Sequence, residues 1–195
     1  MSLTLKYRPL NFHDVVNQSH IIDIIQAQVN KNQVNNNYLF FWPRWTWKTT
    51  IARILSRAVN CLDPQPSWPC NQCVNCKTAL EWKTLDLVEI DAASHTSVDN
   101  VRDEIIDKAP YPPASLKKKV YIIDEVHMLS KSAFNALLKI MEEPPSYLMF
   151  ILATTEINKV PETIISRCQV FNFKKLTNSD IVWRLQYIAD AENLK

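Results

Sequence analysis

The chain contains no glycine in 195 residues, so every tight reversal must be made by residues that carry a Cβ. Average usage of about 7% would place roughly 14 glycines in such a chain. Glycine alone enters positive-φ turns without a steric penalty, and asparagine is the residue that best tolerates the left-handed region in its place. Six tryptophans accompany the missing glycines. Such a composition reads as deliberate redesign, or as generation without glycine.

The rest of the composition is that of a soluble globular protein, with 47% hydrophobic and 22% charged residues. The length suits one well-cored α/β domain and the start of a second. No apolar run approaches the roughly 20 residues that span a bilayer, and the beginning lacks a signal-peptide pattern. A cytoplasmic protein with no membrane partner is expected. The net charge of +2 is too small to argue for nucleic-acid binding. The basic run Lys117-Lys118-Lys119 is expected to form a solvated face.

Five β-rich runs alternate with helical patterns. The strand candidates are Tyr38–Phe41, Asp86–Ile90, Val120–Asp124, Met149–Thr154 and Val170–Phe173. Helices are expected at Thr49–Asn60, Val98–Lys108 and Ser130–Glu142. In the last, Phe134, Leu137, Leu138 and Met141 share one face, Ser130 is an N-cap and Pro144-Pro145 is a stop. Strands apolar on both faces, separated by helices, imply a five-stranded parallel sheet flanked by helices. The segment Leu62–Cys76 reads as an inserted loop. At Thr177 a new helix begins, with Asp180 completing a variant capping box and Ile181, Leu185 and Ile188 forming a stripe.

Cys61, Cys70, Cys73 and Cys76 include two consecutive C-x2-C steps with a fourth cysteine nearby, a spacing that can close a tetrahedral cage around Zn²⁺. Disulfides are the alternative, disfavoured in a reducing cytosol. Four thiolates leave no open position, so the metal would be structural. Cys168 is expected to be a packing residue.

The segment Trp42-Pro43-Arg44-Trp45-Thr46-Trp47-Lys48-Thr49-Thr50 follows a strand and opens a helix, the setting of the phosphate-binding pattern G-x-x-x-x-G-K-[ST]. Lys48 fits the lysine that reaches the β- and γ-phosphates, and Thr49 the hydroxyl that holds Mg²⁺. Trp42 and Trp47 stand at the two glycine positions. The apolar strand Val120–Asp124 ends in adjacent carboxylates, placing Asp124 to hold Mg²⁺ and Glu125 to polarise a water. Thr154-Thr155 ends a neighbouring strand where a γ-phosphate sensor would sit. Arg167 could bring a cation to phosphate charge, although a surface ion pair is the default for one arginine.

Those motifs, together with Lys6-Tyr7-Arg8-Pro9, Asp91-Ala92-Ala93-Ser94, Phe134–Lys139, Glu142-Glu143-Pro144-Pro145 and Ser166-Arg167-Cys168, run in order through nearly the whole chain. In them the chain resembles the bacterial clamp-loader ATPase family, the gamma/tau subunits of DNA polymerase III. The resemblance implies an AAA+ P-loop domain over residues 1–176 with a zinc-binding insert at 61–76, followed by the truncated start of a helical lid domain at 177–195. It implies ATP, Mg²⁺ and structural Zn²⁺. The implied partners are the other clamp-loader subunits of a hetero-pentamer, the sliding clamp and primed DNA. It makes Lys48 and Thr49 phosphate and Mg²⁺ ligands, Asp124 and Glu125 the catalytic pair, Thr155 a sensor and Arg167 a finger toward a neighbour's ATP. Tyr7, Arg8, Pro9, Val15 and Val16 would lie against adenine.

Trp42, Trp45 and Trp47 replace glycines of that family's loop. A non-glycine residue forced into the left-handed region costs about 1–2 kcal/mol. Three indoles also crowd the approach of backbone N–H groups to phosphates. Weak or absent ATP binding is therefore expected. Asn17, also at a family glycine, tolerates that region; Trp183 is a further glycine replacement. A nucleotide-free assembly module, like the clamp-loader stator, and an inactive designed scaffold remain as alternatives.

Overall fold

A computed structural model describes residues 2–41, 47–63, 68–94, 105 and 107–193. In chain order the elements are α1 (Leu3–Lys6), α2 (Ser19–Asn30), β1 (Asn37–Phe41), α3 (Lys48–Asn60), α4 (Val74–Leu80), β2 (Leu87–Asp91), β3 (Lys119–Asp124), α5 (Lys131–Glu142), β4 (Leu148–Thr154), α6 (Glu162–Ile165), β5 (Gln169–Asn172) and α7 (Asn178–Ala191). The five expected strands are all present and form one sheet in the order β2-β3-β4-β1-β5. Every pairing is parallel, with Leu39 opposite both Leu152 and Val170.

Strand alternation divides the core into two layers. Tyr38, Phe40, Val120, Ile122, Met149 and Ile151 face α2 and α3, joined by Phe171 and Phe173. Leu39, Tyr121, Ile123, Phe150 and Leu152 face α5, whose Phe134, Leu137 and Met141 are buried as expected. Helix α5 is capped by Ser130, whose hydroxyl accepts from the Ala133 amide at 3.2 Å. The capping box at α7 is also formed: Thr177 Oγ1 accepts from the Asp180 amide, and Asp180 accepts from the Thr177 amide.

Two expectations are corrected, and one helix is added. Leu62–Cys76 is not loop throughout, because α4 starts at Val74 and carries Cys76. Helix α2 is the addition, and it buries Ile21, Ile22, Ile25 and Val29. The lysine run is solvated only in part: Lys117 is exposed, but Lys119 is buried, and its ammonium donates to the carbonyls of Lys108 (2.7 Å) and Tyr111 (3.1 Å). The expected helix Val98–Lys108 lies largely outside the described residues.

The missing glycine has a structural answer. Among the described residues the left-handed positions are Asn17, Asn32, Asn71, Trp82, Glu125 and Asn193. Asn32 follows α2 and closes a Schellman turn, with Asn32 N donating to Val29 O and Gln33 N to Gln28 O. Trp82 does the same after α4, through Trp82 N to Ala79 O and Lys83 N to Thr78 O. Its ring lies 5.3 Å from the Arg53 guanidinium. Asparagine enters this region readily, whereas an indole-bearing residue there opposes about 1–2 kcal/mol of steric cost.

Candidate functional site

In a parallel sheet, ligand-binding groups collect outside the carboxyl ends of the strands. Here those ends bring together Lys48 and Thr49 after β1, Asp124 and Glu125 from β3, and Thr154 and Thr155 from β4. Thr49 Oγ1 donates to Asp124 Oδ2 at 2.6 Å. The other oxygen, Asp124 Oδ1, accepts from the Glu125 amide at 2.9 Å. Lys48 is buried, with its Nζ 3.7 Å from Glu125 Oε1 and no hydrogen-bond partner among the described residues. A buried ammonium without a full complement of acceptors suits incoming phosphate oxygens. The Thr49–Asp124 pair presents oxygen ligands of the kind Mg²⁺ prefers. These side chains therefore fit Mg²⁺ and a triphosphate.

Glu125 has left-handed backbone, φ 47°, which for a glutamate signals local strain held by its surroundings. Its Oε2 accepts from the Thr155 amide (3.2 Å) and hydroxyl (2.9 Å). Thr155 thus engages the carboxylate. His127, missed in the sequence, is largely buried beside it: Nδ1 is 2.9 Å from Thr154 Oγ1 and 3.4 Å from Glu125 Oε2, and Nε2 is 3.3 Å from Glu156 Oε1.

Trp42, Pro43, Arg44, Trp45 and Thr46 lie outside the described residues. Trp47 is described, and its φ of −72° is not left-handed, so no such strain arises there. Its indole packs on the core and, with Thr50, lines a cavity of about 540 Å³ bounded by Leu3, Tyr7, Arg8 and Arg184. Pro9 is buried and lines neither this cavity nor the next. Val15 and Val16 border a separate cavity of about 330 Å³ with Trp183 and Arg184. The expected adenine-contacting set is thereby divided. Arg184, also missed, donates to Tyr7 O at 2.7 Å and lies 5.2 Å from the Tyr187 ring.

Arg167 ion-pairs with Glu142 at 2.7 Å and donates to Thr163 O. Its carbonyl accepts from Asn37 at the start of β1. It therefore sits at the amino ends of the strands, opposite to Asp124 and Lys48.

The four cysteines form a second site, with all Sγ atoms within 4.8 Å of one another. Cys61 and Cys70 sulfurs are 3.4 Å apart, and those of Cys70 and Cys76 are 3.9 Å apart. None is in a disulfide. A tetrahedron with Zn–S bonds of about 2.3 Å has edges of about 3.8 Å, so the donor set fits zinc. Cys70 Sγ accepts from the amides of Gln72 (3.5 Å) and Cys73 (3.3 Å), while Cys73 Sγ accepts from Cys76 N (3.4 Å). Burial opposes ionisation of Cys73, but backbone amides and the neighbouring thiols outweigh it and bring its pKa to about 6. Burial pushes the thiol of Cys76 up. Cys168 stands apart and packs on the α5 layer, its thiol raised to about 12 by burial.

A five-stranded parallel sheet in this order, with Lys-Thr opening the helix after β1 and paired carboxylates ending β3, defines an AAA+-like P-loop domain. Solved structures share its fold: the Thermotoga maritima RuvB Holliday junction branch migration motor superposes with a TM-score of 0.67 over 97% of this chain and 56% of that one, at 16% identity. A DNA polymerase III gamma subunit-related protein from the same organism gives 0.57 over 85% of this chain and 53% of that one, at 18% identity. The chain belongs to the family described as DNA polymerase III, delta subunit, whose family model matches residues 17–177. In sequence it is 51% identical to DNA polymerase III subunit tau of Bacillus subtilis, over 97% of this chain and 33% of that protein. It is 43% identical to subunit gamma of Buchnera aphidicola from Acyrthosiphon pisum, over 98% of this chain and 53% of that protein. It thus spans a third to about a half of the length of these relatives. The likenesses bear out the gamma/tau resemblance and leave the redesign reading without support.

Proposed function

We propose that this chain is the nucleotide-binding part of a clamp-loader subunit of DNA polymerase III, with low affinity for ATP. The observation that carries the reading is the convergence of Lys48, Thr49, Asp124, Glu125 and Thr155 at the carboxyl ends of β1, β3 and β4. Bound Mg²⁺·ATP would supply the transferable phosphoryl group and the metal charge that offsets its oxygens. Lys48 would meet phosphate oxygens, and Thr49 with Asp124 would hold the metal. Glu125 would orient a water and accept its proton through Oε1, because Thr155 already donates twice to Oε2. Arg167, at the far end of the sheet, would serve a neighbouring subunit's nucleotide. Residues 177–195 would begin the lid, and Zn²⁺ would brace the cysteine insert. The other subunits of a hetero-pentamer, the sliding clamp and primed DNA would be the partners, in the cytoplasm.

Low affinity is favoured by Trp47, whose indole lines the cavity that Tyr7 and Arg8 share. The same observation supports the second reading, a nucleotide-free assembly module. Calorimetry with Mg²⁺·ATP tests both, on the chain as it stands and on a variant with glycine at 42, 45 and 47. Weak or undetectable binding by the former and micromolar binding by the latter are expected. Micromolar binding by the unaltered chain would overturn the low-affinity claim. No binding by the triple-glycine variant would favour the assembly module.

A further inference from the structure

The last turn of α3 buries a cation for which the nucleotide site has no use. Arg57 is 6% exposed. Its guanidinium donates to two neutral oxygens, Leu10 O at 2.8 Å and Asn71 Oδ1 at 3.2 Å. Among the described residues it has no carboxylate in ion-pair reach. Arg53, one turn earlier, has Glu89 at 2.5 Å, and Arg167 has Glu142 at 2.7 Å. Removing an unpaired charge from water costs several kcal/mol, so a buried arginine needs a compensating negative group.

The cysteine cluster supplies one. Four thiolates around a single Zn²⁺ leave a dianion. Arg57 stands four residues before Cys61, and Asn71, which accepts from its Nε, lies inside the Cys70–Cys73 step in the left-handed conformation. A second cation approaches the cluster from Lys117, whose Nζ donates to Cys61 O at 2.5 Å. Two cations beside the cluster equal the dianion's charge in magnitude.

We propose that Arg57 is the charge-balancing and positioning partner of the metal-loaded four-cysteine site, orienting the Cys70–Cys73 turn through Asn71, with Lys117 as the second counter-charge. This rests on the zinc reading of the cluster. Metal content of the purified chain tests that reading alone: about one Zn²⁺ per chain is required, and none would remove the premise. The inference itself is tested by zinc affinity, from competition with a chromogenic chelator, in Arg57→Lys and Arg57→Gln. The Lys ammonium extends beyond the position of Nε toward Leu10 O, and the Gln amide nitrogen falls where Nε donates to Asn71 Oδ1, so each keeps a donor in the site while they differ in charge.

Groups just outside a metal's ligands typically shift affinity about 10–100-fold, so Gln is expected to lose that much and Lys less than tenfold. Urea unfolding of the zinc-free chains supplies the second readout. Without zinc the dianion is absent, so a charge partner of the metal site leaves Gln no less stable than Lys there, whereas a merely structural arginine lowers Gln stability equally with and without zinc. Equal zinc affinities of Lys and Gln would overturn the proposal. If Gln fails to fold with or without zinc while Lys folds in both, the charge serves the fold rather than the metal site, and the proposal falls. If both fail, shape rather than charge is what the site needs, and the proposal falls.

Discussion

The hydroxyl of Thr49, in the first turn of α3, donates to the carboxylate of Asp124, at the end of β3, across 2.6 Å. Residues 75 positions apart in sequence are thereby held as a preformed oxygen pair, with the ammonium of Lys48 close by at Glu125.

That pair leads to a prediction made in the triple-glycine background, where nucleotide binding is expected. Asp124→Asn should remove most Mg²⁺ dependence of binding, and Glu125→Gln should leave binding nearly intact while lowering turnover by about 10²–10⁴-fold. Calorimetry at graded Mg²⁺ and single-turnover hydrolysis separate the two effects. Equal loss of binding in both variants would mean that Asp124 and Glu125 do not divide the work as assigned.

The cysteine cluster predicts a metal-linked stability that depends on pH. Zinc binds thiolates, so protons compete with it and its affinity falls as pH is lowered. Cys73, at about 6, yields its proton readily, and Cys76, raised by burial, yields it less readily. Chelation at neutral pH should lower the melting temperature. A metal contribution of about 3 kcal/mol corresponds to about 6–12 °C in a chain of this size. Thermal melts with and without chelator at pH 8 and pH 5.5 check this, and the gap should shrink at the lower pH.

Asp86 predicts an acid-sensitive component of stability. Its carboxylate accepts from the amides of Ala114 (2.7 Å), Ser115 (2.7 Å) and Leu116 (2.9 Å), and from the Ser115 hydroxyl (3.0 Å). Burial opposes its ionisation, but these four donors outweigh burial and hold its pKa below 3.8. A depressed folded pKa gives stability that is full above the unfolded value and disappears as pH falls through the folded one. Asp86→Asn should cost about 1.5–3 kcal/mol at pH 7 by urea unfolding, and the difference from the unaltered chain should narrow below about pH 4. A difference independent of pH would show that the carboxylate's charge is not what matters.

The strands were legible because Val120–Ile123 and Phe150–Ala153 are apolar on both faces, which only a buried parallel sheet requires. Asp124 and Glu125 were legible because they end such a strand. Helix α4 was not: it has two turns, carries two polar residues and a cysteine in its first four positions, and takes its place from packing on α3. The Lys119 ammonium was misread because its acceptors, the carbonyls of Lys108 and Tyr111, approach only after folding. His127 and Arg184 depend in the same way on which elements meet. The division of the Tyr7 and Val16 region into two cavities follows from where Arg184 crosses between them.

The left-handed asparagines at 17, 32, 71 and 193 have a consequence for the chain when nothing is folded. A glycine at such a turn adds many conformations to the denatured ensemble, and all of them are given up on folding. An asparagine in its place has fewer conformations to give up, which offsets part of the steric cost that its left-handed angles carry. Part of this protein's stability therefore resides in the narrowness of its unfolded ensemble, where no inventory of native contacts would find it.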